Sequence, residues 1–142
     1  MIAVDTNLLV YSHREDSPFH ERAWETLSAL ASQPAAWAIP WPCIHEFLAI
    51  VTHPRIYKPA SSLSIALETV QTWIDAPNLL LLEEGPGYFQ ELRDLLLSGK
   101  ITGGKVHDAR IAALCLSSGV HELWSADRDF SRFPRLKVRN PL

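Results

Sequence analysis

The sequence predicts a single α/β domain over residues 1–142, with a central, mostly parallel sheet and helices on both of its faces. Three observations carry that expectation. Strand-sized apolar runs alternate with longer amphipathic stretches, the pattern of strand–helix–strand units rather than of hairpins. Glycine, proline and asparagine mark most of the breaks between them. The composition, 47% hydrophobic and 20% charged, is that of an ordinary globular chain, and 142 residues suffice to bury a core.

The elements follow in order. Ile2-Ala3-Val4 reads as a short buried strand ending at Asp5. A helix follows Ser17-Pro18, where serine can cap and proline fits the first turn, and it runs to about Gln33. Ala36–Ile39 is a second strand. Pro40 and Pro42 bracket the start of a helix through about Thr52, closed by His53-Pro54. Residues 62–75 form another amphipathic helix, broken by Ala76-Pro77-Asn78. Leu79–Leu82 is a strand, and Pro86–Ser98 a helix with Gly99 as its stop. The loop Lys100–Lys105 leads into a helix from about His107 to Ser118, ended by Gly119. Glu122–Ser125 is a strand, and Leu136–Val138 a last short one.

Several classes are disfavoured at this level. There is no internal repeat and no low-complexity tract, and no apolar run approaches the ~20 residues of a membrane span. The opening Met-Ile-Ala-Val-Asp lacks the basic and long apolar segments of a signal peptide. Two cysteines, Cys43 and Cys115, suit a reducing compartment, so a cytoplasmic location is expected.

In an open parallel sheet, ligands gather at the carboxyl ends of the strands. Asp5 closes the first strand and Asp127 follows the Glu122–Ser125 strand, so two central strands would bring both acids to one edge. Each also has a plain structural role available, Asp5 as a helix cap and Asp127 as a turn residue. Asp108 heads a helical stripe that is otherwise apolar, with Ile111, Ala112 and Cys115 at i+3, i+4 and i+7. The helix dipole favours an acid in the first turn but does not account for its place on the inward stripe. Glu46 is the only acid in the run Cys43–Val51, which is apolar nearly all round and so implies cover on both sides, as from a partner subunit.

Carboxylates gathered in one pocket repel each other and are costly to bury unpaired. A hard divalent cation resolves both problems, because Mg²⁺ and Mn²⁺ prefer oxygen ligands. Such ions serve phosphodiester hydrolysis better than carbonyl chemistry.

Four segments, in this order, resemble the PIN-domain family, and in particular the VapC-type toxins of bacterial toxin–antitoxin pairs. They are Ile2-Ala3-Val4-Asp5-Thr6-Asn7, Glu46 in its apolar helix, His107-Asp108-Ala109 with Ile111-Ala112-Ala113, and Ser125-Ala126-Asp127-Arg128-Asp129-Phe130. Thr52-His53-Pro54-Arg55 also resembles one branch of these toxins. The resemblance implies a PIN-like three-layer α/β/α domain. It implies that Asp5, Glu46, Asp108 and Asp127 are the catalytic, metal-binding acids, with Asp129 an auxiliary ligand or an ion-pair partner of Arg128 or Arg132. Thr6, Asn7 and Ser125 would orient the acids, Ser125 standing where threonine is common. The implied activity is Mg²⁺- or Mn²⁺-dependent endoribonucleolytic cleavage of RNA, leaving a 5′-phosphate and a 3′-hydroxyl. The implied partners are a second copy of the chain and a cognate VapB-type antitoxin.

Other readings fit less well. An aspartyl-nucleophile phosphatase needs an aspartate where this chain has Asn7, and a receiver domain needs an early acidic pair and a late strand-end lysine. Cys43, Cys115, His45 and His107 match no usual zinc spacing. The rival from another class is a catalytically weak PIN fold acting as an RNA- or protein-binding module, and retention of all the acids argues against it. The net charge of −3 does not advertise a nucleic-acid binder, but five of the thirteen basic residues fall within the last fifteen positions. Lys100, Lys105 and Arg110 form a second basic group, and these three with Arg128 are the candidates for holding RNA phosphates. Among the tryptophans, Trp24, Trp73 and Trp124 are expected in the core, and Trp37 and Trp41 at a subunit interface or substrate groove.

Overall fold

The computed structural model describes all residues 1–142. Its centre is β1 (Ile2–Val4), which pairs on one side with β2 (Trp37–Pro40) and on the other with β4 (Glu122–Trp124). β3 (Leu79–Leu82) lies outside β2, and β5 (Lys137–Arg139) outside β4, giving the order β3-β2-β1-β4-β5 with every pairing parallel. Ala3 stands opposite Ala38 on one side and Leu123 on the other. The central strands are covered on both faces: Ala3, Val4, Trp37, Ala38, Ile39 and Leu123 have no exposed surface. That double burial explains why these strands read as continuous apolar runs without alternation.

The first helix does not separate from its strand in the sequence pattern. α1 (Thr6–His13) begins immediately after Asp5, whose carboxylate accepts the Thr6 N–H at 2.8 Å. Leu8, Leu9 and Val10 are all buried, so this short helix shows no polar face for periodicity to detect. α2 (His20–Ser32) starts later than Ser17-Pro18 suggests, because Ser17 accepts the Phe19 N–H in a turn instead of capping the helix. α3 (Trp41–Val51) carries Pro42 in its first turn, as expected. α4 (Leu63–Ile74) is capped by Ser62, which accepts the Ile65 N–H at 3.2 Å. Ser62→Ala is therefore expected to cost about 1 kcal/mol in urea unfolding, with the denaturant slope unchanged.

α5 (Tyr88–Gly99) ends differently from the expectation for Gly99. The left-handed residue is Lys100, with φ 51°, and a Cβ at Gly99 would lie 2.9 Å from Ile101 Cδ1, so a side chain there would displace that methyl. α6 (Val106–Ser117) follows a 3₁₀ turn at Gly103–Lys105, and Gly119 beyond it takes φ 76°, the left-handed conformation expected of it.

α1 packs on α2 and α3, α3 packs on α4, and α5 packs on α6. The chain steps from β1 to β2 to β3 in one direction, then crosses back past β1 to β4. With right-handed crossovers, this reversal places the first four helices on one face of the sheet and α5 and α6 on the other, a three-layer α/β/α arrangement. It also opens a crevice between the carboxyl ends of β1 and β4, the topological switch point of the sheet. No helix is long and apolar enough to cross a membrane.

The tryptophans depart from expectation in two places. Trp37 belongs to the core: it is fully buried and its indole N–H donates to Asn78 Oδ1 at 3.1 Å. Trp24 is 57% exposed on α2, outside the core. Trp73 meets the buried Phe47 edge-on at 4.8 Å, and Trp41 stacks on His45.

Candidate active site

Asp5 sits at the carboxyl end of β1 and is only 5% exposed. Four donors surround its carboxylate. Oδ1 accepts from the Thr6 N–H at 2.8 Å and from the Cys43 thiol at 3.5 Å. Oδ2 accepts from the Ser125 hydroxyl at 2.7 Å and from Asn7 Nδ2 at 3.4 Å. The cap role and the cluster role are thus held by the same side chain. Burial pushes the Asp5 carboxyl up to about 6 despite these donors, and the charge of Glu46 adds to the rise.

Ser125 and Asn7 tie β4 to β1. The Ser125 hydroxyl donates to Asp5 and accepts from the Asp127 N–H at 2.9 Å and from Asn7 Nδ2 at 3.2 Å. Asn7 Oδ1 accepts the Ala126 N–H at 3.1 Å. Two side chains therefore set where the loop carrying Asp127 leaves the sheet. Asp127 Oδ1 in turn accepts the Asp129 N–H at 2.8 Å, capping the 3₁₀ turn Arg128–Arg132.

Glu46 arrives from α3 with an exposed side chain. The expectation of cover all round α3 holds on one side: Ile44, Phe47 and Val51 are buried, while His45, Glu46 and Ala49 form an open face within the chain. Glu46 Oε2 accepts from Thr6 Oγ1 at 3.0 Å, so the residue after Asp5 positions the second acid. Asp108, in the first turn of α6, lies on the predicted inward stripe; Ile111, Ala112 and Cys115 on that stripe are buried. Desolvation raises the Asp108 carboxyl above its ordinary value, the charges of Asp127, Asp129 and Glu46 raise it further, and the Lys105 ammonium opposes them.

Asp5, Glu46, Asp108 and Asp127 all line one cleft of about 250 Å³. Asp129 does not line it. Its carboxylate pairs with Lys105, and not with Arg128 or Arg132, which holds it below its ordinary range. Lys105 also stands 3.8 Å from Asp108. Residue spacing carries no sign of this pairing, because the 3₁₀ turns that bring Lys105 and Asp129 together are too short to show a period. Three cleft-lining residues also escape the sequence reading: Val10 and Tyr11, carried by the unseparated α1, and Tyr57, from the loop after α3. Cys43 touches Asp5 from one turn before Glu46, a spacing at i and i+3 that could have exposed it.

As the side chains stand, no three histidine, cysteine, aspartate or glutamate side chains converge as ligands on one point. The donor chemistry nevertheless fits a hard divalent cation. All four acids present oxygen, and burial together with mutual repulsion raises two of them. The cysteines do not compete as ligands: Cys43 and Cys115 are free and buried, and burial pushes both thiols well up, away from the thiolate that a soft metal needs.

The predicted RNA-contacting residues divide. Lys100 and Arg128 are exposed with no ion pair, whereas Lys105 is engaged by Asp108 and Asp129, and Arg110 by Glu84 at 3.2 Å. In the basic C-terminal segment, Arg135 pairs with Glu91 and Lys137 with Glu122, and Arg139 lies over the Trp124 ring.

Comparison with known proteins places the chain among relatives of the same length and layout. A family model described as the PIN domain matches residues 2–136. A VapC ribonuclease of Mycobacterium bovis is 33% identical over 142 residues, covering 100% of this chain and 96% of that protein. Ribonuclease VapC33 of Mycobacterium tuberculosis is 30% identical, with 100% of this chain and 99% of that protein covered. Among solved structures, VapBC2 from Rickettsia felis, bound to a DNA fragment from its promoter, superposes with a TM-score of 0.68 at 20% identity, covering 99% of this chain and 98% of that one. VapC20 of Mycobacterium tuberculosis, a toxin that cleaves the sarcin–ricin loop, gives 0.67 at 13% identity, covering 92% of this chain and 93% of that one.

Proposed function

The chain belongs to the PIN-domain family, and from that premise we propose that it is the toxin of a toxin–antitoxin pair, a metal-dependent endoribonuclease. The observation that carries this reading is the meeting of Asp5, Glu46, Asp108 and Asp127 on one cleft at the sheet's switch point. The named ribonuclease relatives, aligned over the whole chain, support the activity.

Asp5, Glu46, Asp108 and Asp127 would hold one or two Mg²⁺ or Mn²⁺ ions, which supply polarisation of a phosphoryl oxygen and activation of water. The chain's own residues prepare that chemistry. The Ser125–Asn7 bridge and the Thr6 hydroxyl fix the directions of Asp5, Asp127 and Glu46 before substrate arrives. Lys105 neutralises part of the acidic field at Asp108, which lets a phosphate approach. Tyr11, Tyr57 and Phe130 wall the cleft and narrow the access of water. Lys100 and Arg128, exposed and unpaired, supply contacts to flanking phosphates.

The partners are a VapB-type antitoxin, RNA and a second copy of the chain. Solved relatives from Rickettsia felis and from nontypeable Haemophilus influenzae are described as VapBC structures, which supports the first. Exposed apolar side chains at Leu63 and Leu67 on α4, and at Phe89 and Leu97 on α5, provide surface for protein contacts. The site of action is the cytoplasm, in keeping with two buried, unpaired cysteines.

The test is incubation of the antitoxin-free protein with total cellular RNA in Mg²⁺, in Mn²⁺ and in chelator. Metal-dependent cuts that vanish in Asp5→Asn and Asp108→Asn support the enzyme. Intact RNA with every metal, together with tight RNA binding, would establish the catalytically weak binding module instead.

A further inference from the structure

The acid cleft has an extension that the proposed chemistry does not use. Beside it, between α3 and α6, lies a second cleft of about 460 Å³, within the ~300–1,000 Å³ range of small-ligand sites. His45 and Ala49 of α3 face His107 and Arg110 of α6 across it. Glu46, Asp108 and Ile111 line both clefts, so the two are continuous and the acids form their common wall.

The side chains of this extension are those that a single-stranded nucleotide requires. The exposed His45 ring is stacked on Trp41, one helical turn earlier, at 5.9 Å between centroids and 28° between planes. Trp41 thereby presets the imidazole as a flat aromatic surface and reduces the entropy lost when a base lies on it. Arg110 is tied to Glu84 by a surface pair in which both partners are more than a third exposed. Such a pair is held weakly, so the guanidinium can exchange a carboxylate for a phosphate. An aromatic platform next to a cationic fork is the usual construction for binding one base and its phosphate.

Resting on the ribonuclease reading, we propose that the α3–α6 cleft is a nucleotide subsite of the RNA substrate. The base beside the scissile phosphate stacks on His45, and Arg110 receives the adjoining phosphate. The acid cleft then holds the bond to be cut, and the extension selects which strand conformations present it.

The experiment uses the full chain carrying Asp108→Asn, so that RNA survives while binding is measured. A fluorescein-labelled single-stranded oligoribonucleotide is titrated in Mn²⁺ by anisotropy. His45→Ala is expected to weaken binding about tenfold, with His45→Phe restoring it. Arg110→Ala is expected to weaken binding and to lower the salt dependence of log K by about one ion, with Arg110→Lys keeping the slope. Both side chains are solvent-accessible, and unchanged thermal midpoints would show that the variants are folded. Binding by His45→Ala and Arg110→Ala equal to that of their parent overturns the subsite. So does a loss of self-association in His45→Ala seen by light scattering, which would make this face a subunit contact. RNA left intact by the wild-type chain in Mn²⁺ would instead strike at the ribonuclease reading, and its gel readout is separate from the anisotropy of the subsite variants.

Discussion

Asp5→Asn is expected to lose RNA cleavage by roughly 10²–10⁴-fold, the range for removal of a group engaged in the chemical step, and to become relatively more stable as pH rises. The two effects have one origin. Raising the Asp5 carboxyl from its ordinary 3.8 to about 6 corresponds to about 3 kcal/mol. Between those pH values the folded chain retains a proton that the unfolded chain has released, so this group's contribution to stability falls as pH rises through the window. Above about 6 the whole cost is present. Asparagine does not titrate, and it caps a helix as well as aspartate does. Unfolding of both proteins in chelator, measured from pH 4 to pH 7, should therefore shift in favour of the Asp5→Asn variant by about 3 kcal/mol across the range. A difference independent of pH would show that Asp5 is not held at this cost. Saturating Mn²⁺ should reverse the order, because only the wild type gains binding energy from the cation. Cleavage by the wild type should fall on acidification, because burial favours a proton on Asp5 that competes with the cation for the carboxylate.

That burial also explains which parts of the site are legible in the sequence. Asp5 and Asp127 are visible because β1 and β4 are short apolar runs whose ends are unambiguous, and the sheet order then sets them side by side. Asp108 is visible because one acid on an apolar stripe breaks the helical pattern. Glu46 stands apart, and the reason is physical: its side chain is exposed on an open helical face, and only Thr6, forty residues earlier, ties it to the others. No local pattern encodes that contact. α1 is hidden because a short helix with no exposed residue has no solvated polar stripe, and Trp24 shows the converse, since an aromatic on an amphipathic helix need not lie on its buried face. The pairing of Asp129 with Lys105 depends on two 3₁₀ turns from distant segments. It removes Asp129 from the cleft and gives Asp108 its nearest cation.

Ser125→Ala is expected to weaken Mn²⁺ binding by about 10- to 100-fold, the usual cost of losing a group that orients metal-binding side chains. Ser125 is 2% exposed, and its single oxygen makes three hydrogen bonds, to Asp5, Asn7 and the Asp127 N–H. Alanine leaves Asp5 Oδ2 with only the longer contact from Asn7, at 3.4 Å. It also frees the Asp127 backbone, so two of the four acids lose their fixed directions together. The same deletion strips a donor from a buried carboxylate, which costs about 1–3 kcal/mol of stability in chelator. Affinity and stability should therefore fall together in Ser125→Ala and recover together in Ser125→Thr, which restores the hydroxyl. Calorimetric Mn²⁺ titration and urea unfolding separate the possibilities. Lost stability with unchanged affinity would make Ser125 a link between β1 and β4 alone. Lost affinity that threonine rescues would identify one hydroxyl as the joint that aligns the acids of both strands.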